Sequence, residues 1–193
     1  MRLVVLALSL PAMFIAMGAA ALLAPGCGLA IPMAAAYLAL TPVVYYSRRY
    51  LTLRPRYFLV SLGMFAALWG LEALLSPILR EYEAFTRELL EAIAGCPSWL
   101  LYFFITAVVL APVVEETLFR VILYTELERR AGALVGYVGN SLAFALVHGL
   151  PALTPLYFAS GLILTYSFKK GGALSSIVLH GLNNLLALLS ILP

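Results

Sequence analysis

Long apolar runs alternate with short polar ones along the whole chain. The apolar segments cover approximately residues 3–24, 29–47, 57–79, 98–127, 133–149, 153–168 and 172–192. Each is of helix length, so the pattern predicts seven helices. Residues 3–47 hold no charged side chain, and this stretch is roughly twice the ~20 residues that one helix needs to cross a bilayer. Two spans therefore precede Arg48, with APGCGLAIP, residues 24–32, as the turn between them. The fourth run is unusual. Its about 30 residues at ~1.5 Å each reach roughly 45 Å, more than the ~30 Å of a hydrocarbon core, so it must tilt or extend beyond the membrane.

Composition strengthens this picture. Apolar residues make up 64% of the 193 and charged residues 11%, with a mean hydropathy of +1.02, far from ordinary soluble domains. The expected fold is an all-α polytopic transmembrane bundle of about seven helices around a polar intramembrane cavity. It forms a single membrane domain over 1–193, in which 1–95 hold the N-terminal helices and an extracytoplasmic amphipathic segment and 96–193 carry the polar groups. Arg2, the first apolar run and the small residues of GAAA also have the make-up of a secretory signal peptide. That run of about 22 residues is longer than a usual signal core, and more spans follow, so it is read as a retained helix.

The net charge of +3 comes from basic residues in short clusters between apolar runs, which read as topology signals and not as a nucleic-acid surface. A cytoplasmic N-terminus puts Arg2, then Arg48, Arg49, Arg54 and Arg56, then Arg129 and Arg130, then Lys169 and Lys170 on the cytoplasmic side. The C-terminus is then extracytoplasmic, and only Arg80 and Arg87 fall outside. Residues 80–97, REYEAFTRELLEAIAGCP, become the main outer element, with Phe85, Leu89, Ala92 and Ile93 at the spacing of an amphipathic interfacial helix. Cys27 and Cys96 share that side; free thiols are the ordinary state and a disulfide the alternative. Neither belongs to a CxxC or Cys/His cluster, which excludes a cysteine-rich zinc site. Glu72 lies only eight residues before Arg80, within reach of the outer headgroups, and is placed outside the site.

Candidate chemistry lies in VVEETLFRV, residues 113–121. One charge at the centre of a membrane helix costs about 2.5–3.5 kcal/mol on insertion scales, and here Glu115, Glu116 and Arg120 stand together. Glu116 and Arg120 are four apart and can neutralise one another on one helix face. An ion-pair knot of this kind accounts for those two on structural grounds alone. Glu115, turned about 100° away, is left without that partner. An unpaired carboxyl in a dry site can exchange protons near neutral pH, the property of a general base.

Both histidines of the chain, His148 and His180, also fall in apolar runs. His180 and Asn184 share a face, as do Phe144 and His148. Asn183 reads as an interhelical hydrogen-bonding residue. Gly149 and Pro151 end a fifth helix of about 16 residues, shorter than the bilayer, whose turn needs protein or water to satisfy its backbone.

EETLFR at 115–120, FALVH at 144–148 and HGLNN at 180–184 resemble the EExxxR, FxxxH and HxxxN motifs of type II CAAX prenyl endopeptidases and the wider CPBP (Abi) family of membrane proteases. The resemblance covers about the last 100 residues. It implies a glutamate-type intramembrane endopeptidase in which Glu115 activates water with help from His148, and His180 and Asn184 donate to the oxyanion. Glu116 is then a supporting residue and Arg120 its structural partner. The implied partners are membrane lipid and a lipidated or membrane-associated polypeptide. Glu115, His148 and His180 could also bind Zn²⁺, but HExxH is absent and Asn184 is a poor zinc ligand, so the expected cofactor is none. A non-catalytic scaffold that keeps the fold, and a proton or ion translocator, are the rival readings.

Overall fold

The structure, a computed structural model, describes residues 2–75, 88 and 91–191. Among them there are seven long helices and no strand, as the runs of apolar sequence predict. Helix α1 is Arg2–Leu23, followed by a short 3-10 turn, Pro25–Cys27. Helix α2, Ala30–Leu40, continues as 3-10 helix through Thr41–Arg49. Pro42 accounts for the change of winding, since it has no N–H to return to the preceding turn. Thr41 repairs part of the loss, because its hydroxyl donates to the Leu38 carbonyl at 2.8 Å.

Helix α3 is Pro55–Leu75. The fourth run becomes α4, residues 99–131, a helix whose winding changes along its length. It passes from Trp99–Phe104 through π-helical Ile105–Leu110, α-helical Ala111–Glu116 and π-helical Thr117–Tyr124 before resuming α geometry at Thr125. At Gly132 (φ 88, ψ 170) it breaks, and α5 covers 133–147. Helices α6, Thr154–Gly171, and α7, Ala173–Ile191, follow. Runs long and apolar enough to cross a membrane are found at Val4–Leu23, Ala30–Arg49, Pro55–Leu75, Trp99–Val147 and Ala173–Ser190.

α1 packs on α2, α2 on α4, and α4 on α5 and α7; α3 lies against α6 and α7. The outer faces are apolar and exposed, with Ile15 at 72% and Leu134 at 77%, as surfaces solvated by lipid should be. One end of the bundle collects the basic loops. There Ala173 N–H donates to Tyr50 O at 2.8 Å and Arg54 N–H to Gly171 O at 3.2 Å. Lys169 pairs with Glu128 at 2.5 Å, while Arg129 and Arg130 converge on Glu126, each at 2.6 Å.

Most of the predicted amphipathic stretch, 80–97, lies outside the described residues. Its last part leans on the bundle: Ile93 is fully buried with Ala30, Phe103 and Leu188, and Leu29 N–H donates to Ala92 O at 2.8 Å. Cys96 is disulfide-bonded in a chain that has two cysteines, which corrects the expectation of free thiols.

Gly172 joins α6 to α7 at φ 97, ψ 171, with Thr52 packed where a Cβ would stand. Such backbone geometry is essentially confined to glycine, and other residues there cost about 1–3 kcal/mol. Gly172→Ala is expected to lose at least that much in a reversible denaturation titration, whereas Gly18→Ala, in open surroundings on α1, should be close to neutral.

Candidate active site

The site is built around α4, and its unusual winding has a local cause. Ala111 N–H donates to Thr106 O, five residues back, which leaves the Ala107 carbonyl without its usual donor. The next candidate, Pro112, has no N–H. A buried carbonyl must find a partner elsewhere, and Asn184 on α7 supplies one, with its Nδ2 donating to Ala107 O at 2.8 Å. Gly181 makes this approach sterically feasible, since a Cβ there would lie 2.8 Å from Val108 O. π-Helical turns of this kind occur often at functional sites.

Glu116 and Arg120 form the expected pair. Oε1 of Glu116 lies 3.0 Å from Nη1 of Arg120, and both side chains are completely buried. The same Oε1 is 2.9 Å from Nδ1 of His180, a contact that spacing along α4 could not predict. Arg120 also reaches the Gly161 carbonyl of α6 at 3.5 Å and lies over the Phe144 ring of α5, 4.4 Å from its centroid. Four helices therefore meet at one buried ion pair.

Glu115 points to another side. Its Oε2 is 3.8 Å from His180 Nε2, while its Oε1 accepts a short hydrogen bond from the Tyr37 hydroxyl of α2. This corrects the expectation that Glu115 lacks a partner. The sequence does contain a signal, a single tyrosine in the small-residue stretch MAAAYLAL, but one hydroxyl sets up no pattern.

The two imidazoles are held in defined orientations. His148 Nδ1 lies 2.7 Å from the Phe144 carbonyl, and since a carbonyl only accepts, the proton is on Nδ1 and the neutral ring keeps a lone pair on Nε2. That carbonyl is available because the helix ends here, with His148 N–H donating instead to Ala145 O. The His148 ring stacks on Tyr157 at 4.1 Å and lies beside Phe144 at 4.7 Å. His180 is 3% exposed. With its Nδ1–H on Glu116, its Nε2 is an acceptor in the neutral ring and a donor only in the imidazolium.

His148, His180 and Asn184 line one cavity of about 560 Å³, bounded also by Phe144, Trp69 and Glu72. Glu72 was expected outside the site, directed to the headgroups; it faces inward instead, because the Trp69 indole donates to Asn183 Oδ1 at 2.9 Å and turns that face of α3 onto α7. The same bond gives Asn183 its expected interhelical role. Among the described residues no group of three His, Cys, Asp or Glu side chains is placed to hold a metal ion.

Comparison with known families agrees with the motifs. Residues 97–186 match the Rce1-like model, described as type II CAAX prenyl endopeptidase Rce1-like. The Rce1-like match spans α4 to α7 and includes Glu115, Glu116, Arg120, His148, His180 and Asn184, but excludes Tyr37 and Glu72. No curated protein and no solved structure matches the chain. With its apolar helices and its Rce1-like segment, the chain is an integral multi-pass membrane protein.

Removing one partner of a buried ion pair typically costs about 3–5 kcal/mol, because the other charge is left uncompensated. Arg120→Met is therefore expected to destabilise the fold by about that amount, and the double variant Arg120→Met with Glu116→Gln to regain much of it. Equal losses in the single and double variants, measured by denaturation in the same detergent, would contradict a coupled pair.

Proposed function

We propose that the protein is a membrane-embedded endopeptidase that hydrolyses a peptide bond near the C-terminus of a lipidated, CAAX-type or other membrane-associated polypeptide. The observation that carries this reading is the contact of Glu115 with His180 across two helices, with His180 and His148 lining one cavity, within a segment matching a family of endopeptidases. Glu115 takes a proton from water, assisted by the Nε2 lone pair of His148, and the water oxygen attacks the scissile carbonyl carbon. The second amide hydrogen of Asn184 and the imidazolium form of His180, through Nε2, donate to the resulting oxyanion. The proton then passes to the leaving nitrogen. Glu116 and Arg120 hold His180 in position, and Tyr37 orients Glu115. The reading uses only these side chains, without a metal or other cofactor, and its partners are membrane lipid and the polypeptide substrate.

A general base contributes about 10²–10⁴ in rate. With purified protein and a prenylated C-terminal peptide, Glu115→Gln should lower kcat by that factor, and His148→Ala by at least about tenfold. Tyr37→Phe should lower kcat less and displace the pH–rate profile, which a loss of packing alone would not do. A Glu115→Gln enzyme within about tenfold of wild type would refute the base assignment. Because His180 and Asn184 both have structural partners, a non-catalytic scaffold is the second reading, and it is favoured if wild-type protein cleaves no lipidated or membrane peptide.

We also propose that the end collecting Arg48, Arg49, Arg54, Arg129, Arg130, Lys169 and Lys170 faces the cytoplasm, with the N-terminus there and the C-terminus outside. The support is the positive-inside bias. A cysteine introduced at Lys170 should react with impermeant maleimide in inverted membranes and stay unreactive in intact cells; the opposite labelling reverses the orientation.

A further inference from the structure

The cavity beside the two histidines contains a charge for which the proposed chemistry has no use. Glu72 lines it one turn beyond Trp69, on the same face of α3. Trp69 is pinned to Asn183, so the following turn of α3 lies level with the following turn of α7, where Ala187 and Ser190 line the same cavity. From His180 to Ala187, at ~1.5 Å per residue, the rise is about 10 Å. Glu72 is therefore a second feature of the cavity, separated from the candidate reaction centre.

No hydrogen bond or ion pair joins Glu72 to another described side chain, and no lysine or arginine among the described residues lines the cavity. Arg120, which is fully buried, is committed to Glu116. The remaining wall is largely apolar, including Leu153, Leu156 and Leu164. A carboxylate in such surroundings is unfavourable until a cation approaches it, and buried charges are generally paired.

We propose that this cavity is a binding site for an amphipathic cation, in which Glu72 pairs with an ammonium or guanidinium group while the attached apolar chain lies along the leucine wall. This deepens the protease reading and rests on it for the identity of the ligand, a basic side chain of the substrate. An extended chain covers ~3.3 Å per residue, so about 10 Å places that lysine or arginine about three residues from the scissile bond. A free C-terminal carboxylate would meet Glu72 and, among the described residues, no basic side chain. The cavity therefore receives the amino side of a bond that lies near a C-terminus.

The chain has two tryptophans, so Trp99→Phe leaves Trp69 as a reporter inside the cavity. Two dansyl-labelled S-farnesyl peptides are titrated in neutral detergent micelles, one with lysine three residues before the scissile bond and the other with acetyl-lysine at that position. Energy transfer from Trp69 should give a Kd about tenfold lower for the lysine peptide, the scale of one charge-assisted hydrogen bond. Glu72→Gln should bring the two values together.

Equal Kd values on the wild-type cavity, or a lysine preference that survives Glu72→Gln, would overturn the proposal. If Glu72→Gln fails to fold, the wild-type comparison, extended to a peptide with glutamate at the same position, still decides, because that peptide should bind weakest. Mass spectrometry of the peptides after titration separates the two readings. Charge-dependent binding without cleavage removes the protease and keeps the cation site, whereas cleavage with charge-blind binding does the reverse.

Discussion

One carboxylate oxygen, Oε1 of Glu116, organises the interior. It accepts from His180 on α7 and pairs with Arg120 on its own helix. Arg120 in turn touches the Gly161 carbonyl on α6 and the Phe144 ring on α5. In a medium without water, a carboxylate and a guanidinium are tolerable only together and only when further polar groups complete their surroundings. The polar network continues on the far side of the Gly161 carbonyl, which also accepts from Thr165 at 2.7 Å, while Thr165 accepts from Asn140 at 2.8 Å. Glu115, one residue earlier and a third of a turn away, lies outside that obligation and faces His180 and Tyr37 instead. Two adjacent carboxylates thus have separate duties because of their angular offset.

The backbone imposes a second constraint. Pro112 sits one turn before Glu116 on a helix that must bury every peptide group, and the carbonyl it leaves without a donor is met by a side chain from α7. This bond fixes the height of α7 against α4, and with it the level at which His180 meets the two glutamates. The π-helical winding on both sides of Ala111–Glu116 is the local accommodation.

Much of this was legible in the sequence, and what was not has physical reasons. Lipid demands apolar faces along whole helices, so the seven runs appear directly as α1 to α7. The Glu116–Arg120 pair follows from spacing on one helix. Tyr37 was missed because its partner is 78 residues away and a lone hydroxyl has no periodicity. Glu72 was assigned to the interface by its closeness to Arg80 in sequence, whereas its direction is set by a Trp69–Asn183 bond between two helices. The donor to Ala107 could not be foreseen without the π turn that exposes that carbonyl.

The disposition of the ion pair also bears on how the chain assembles as it is made. Glu115, Glu116 and Arg120 are synthesised with α4, but their partner His180 arrives 64 residues after Glu116, on the last of the described helices. Until α7 enters the membrane, Glu116 has Arg120 but not His180, and the cavity lacks one wall. The polar centre is therefore completed only when α7 inserts, so a nascent chain that stops short of α7 has the carboxylates without an organised site.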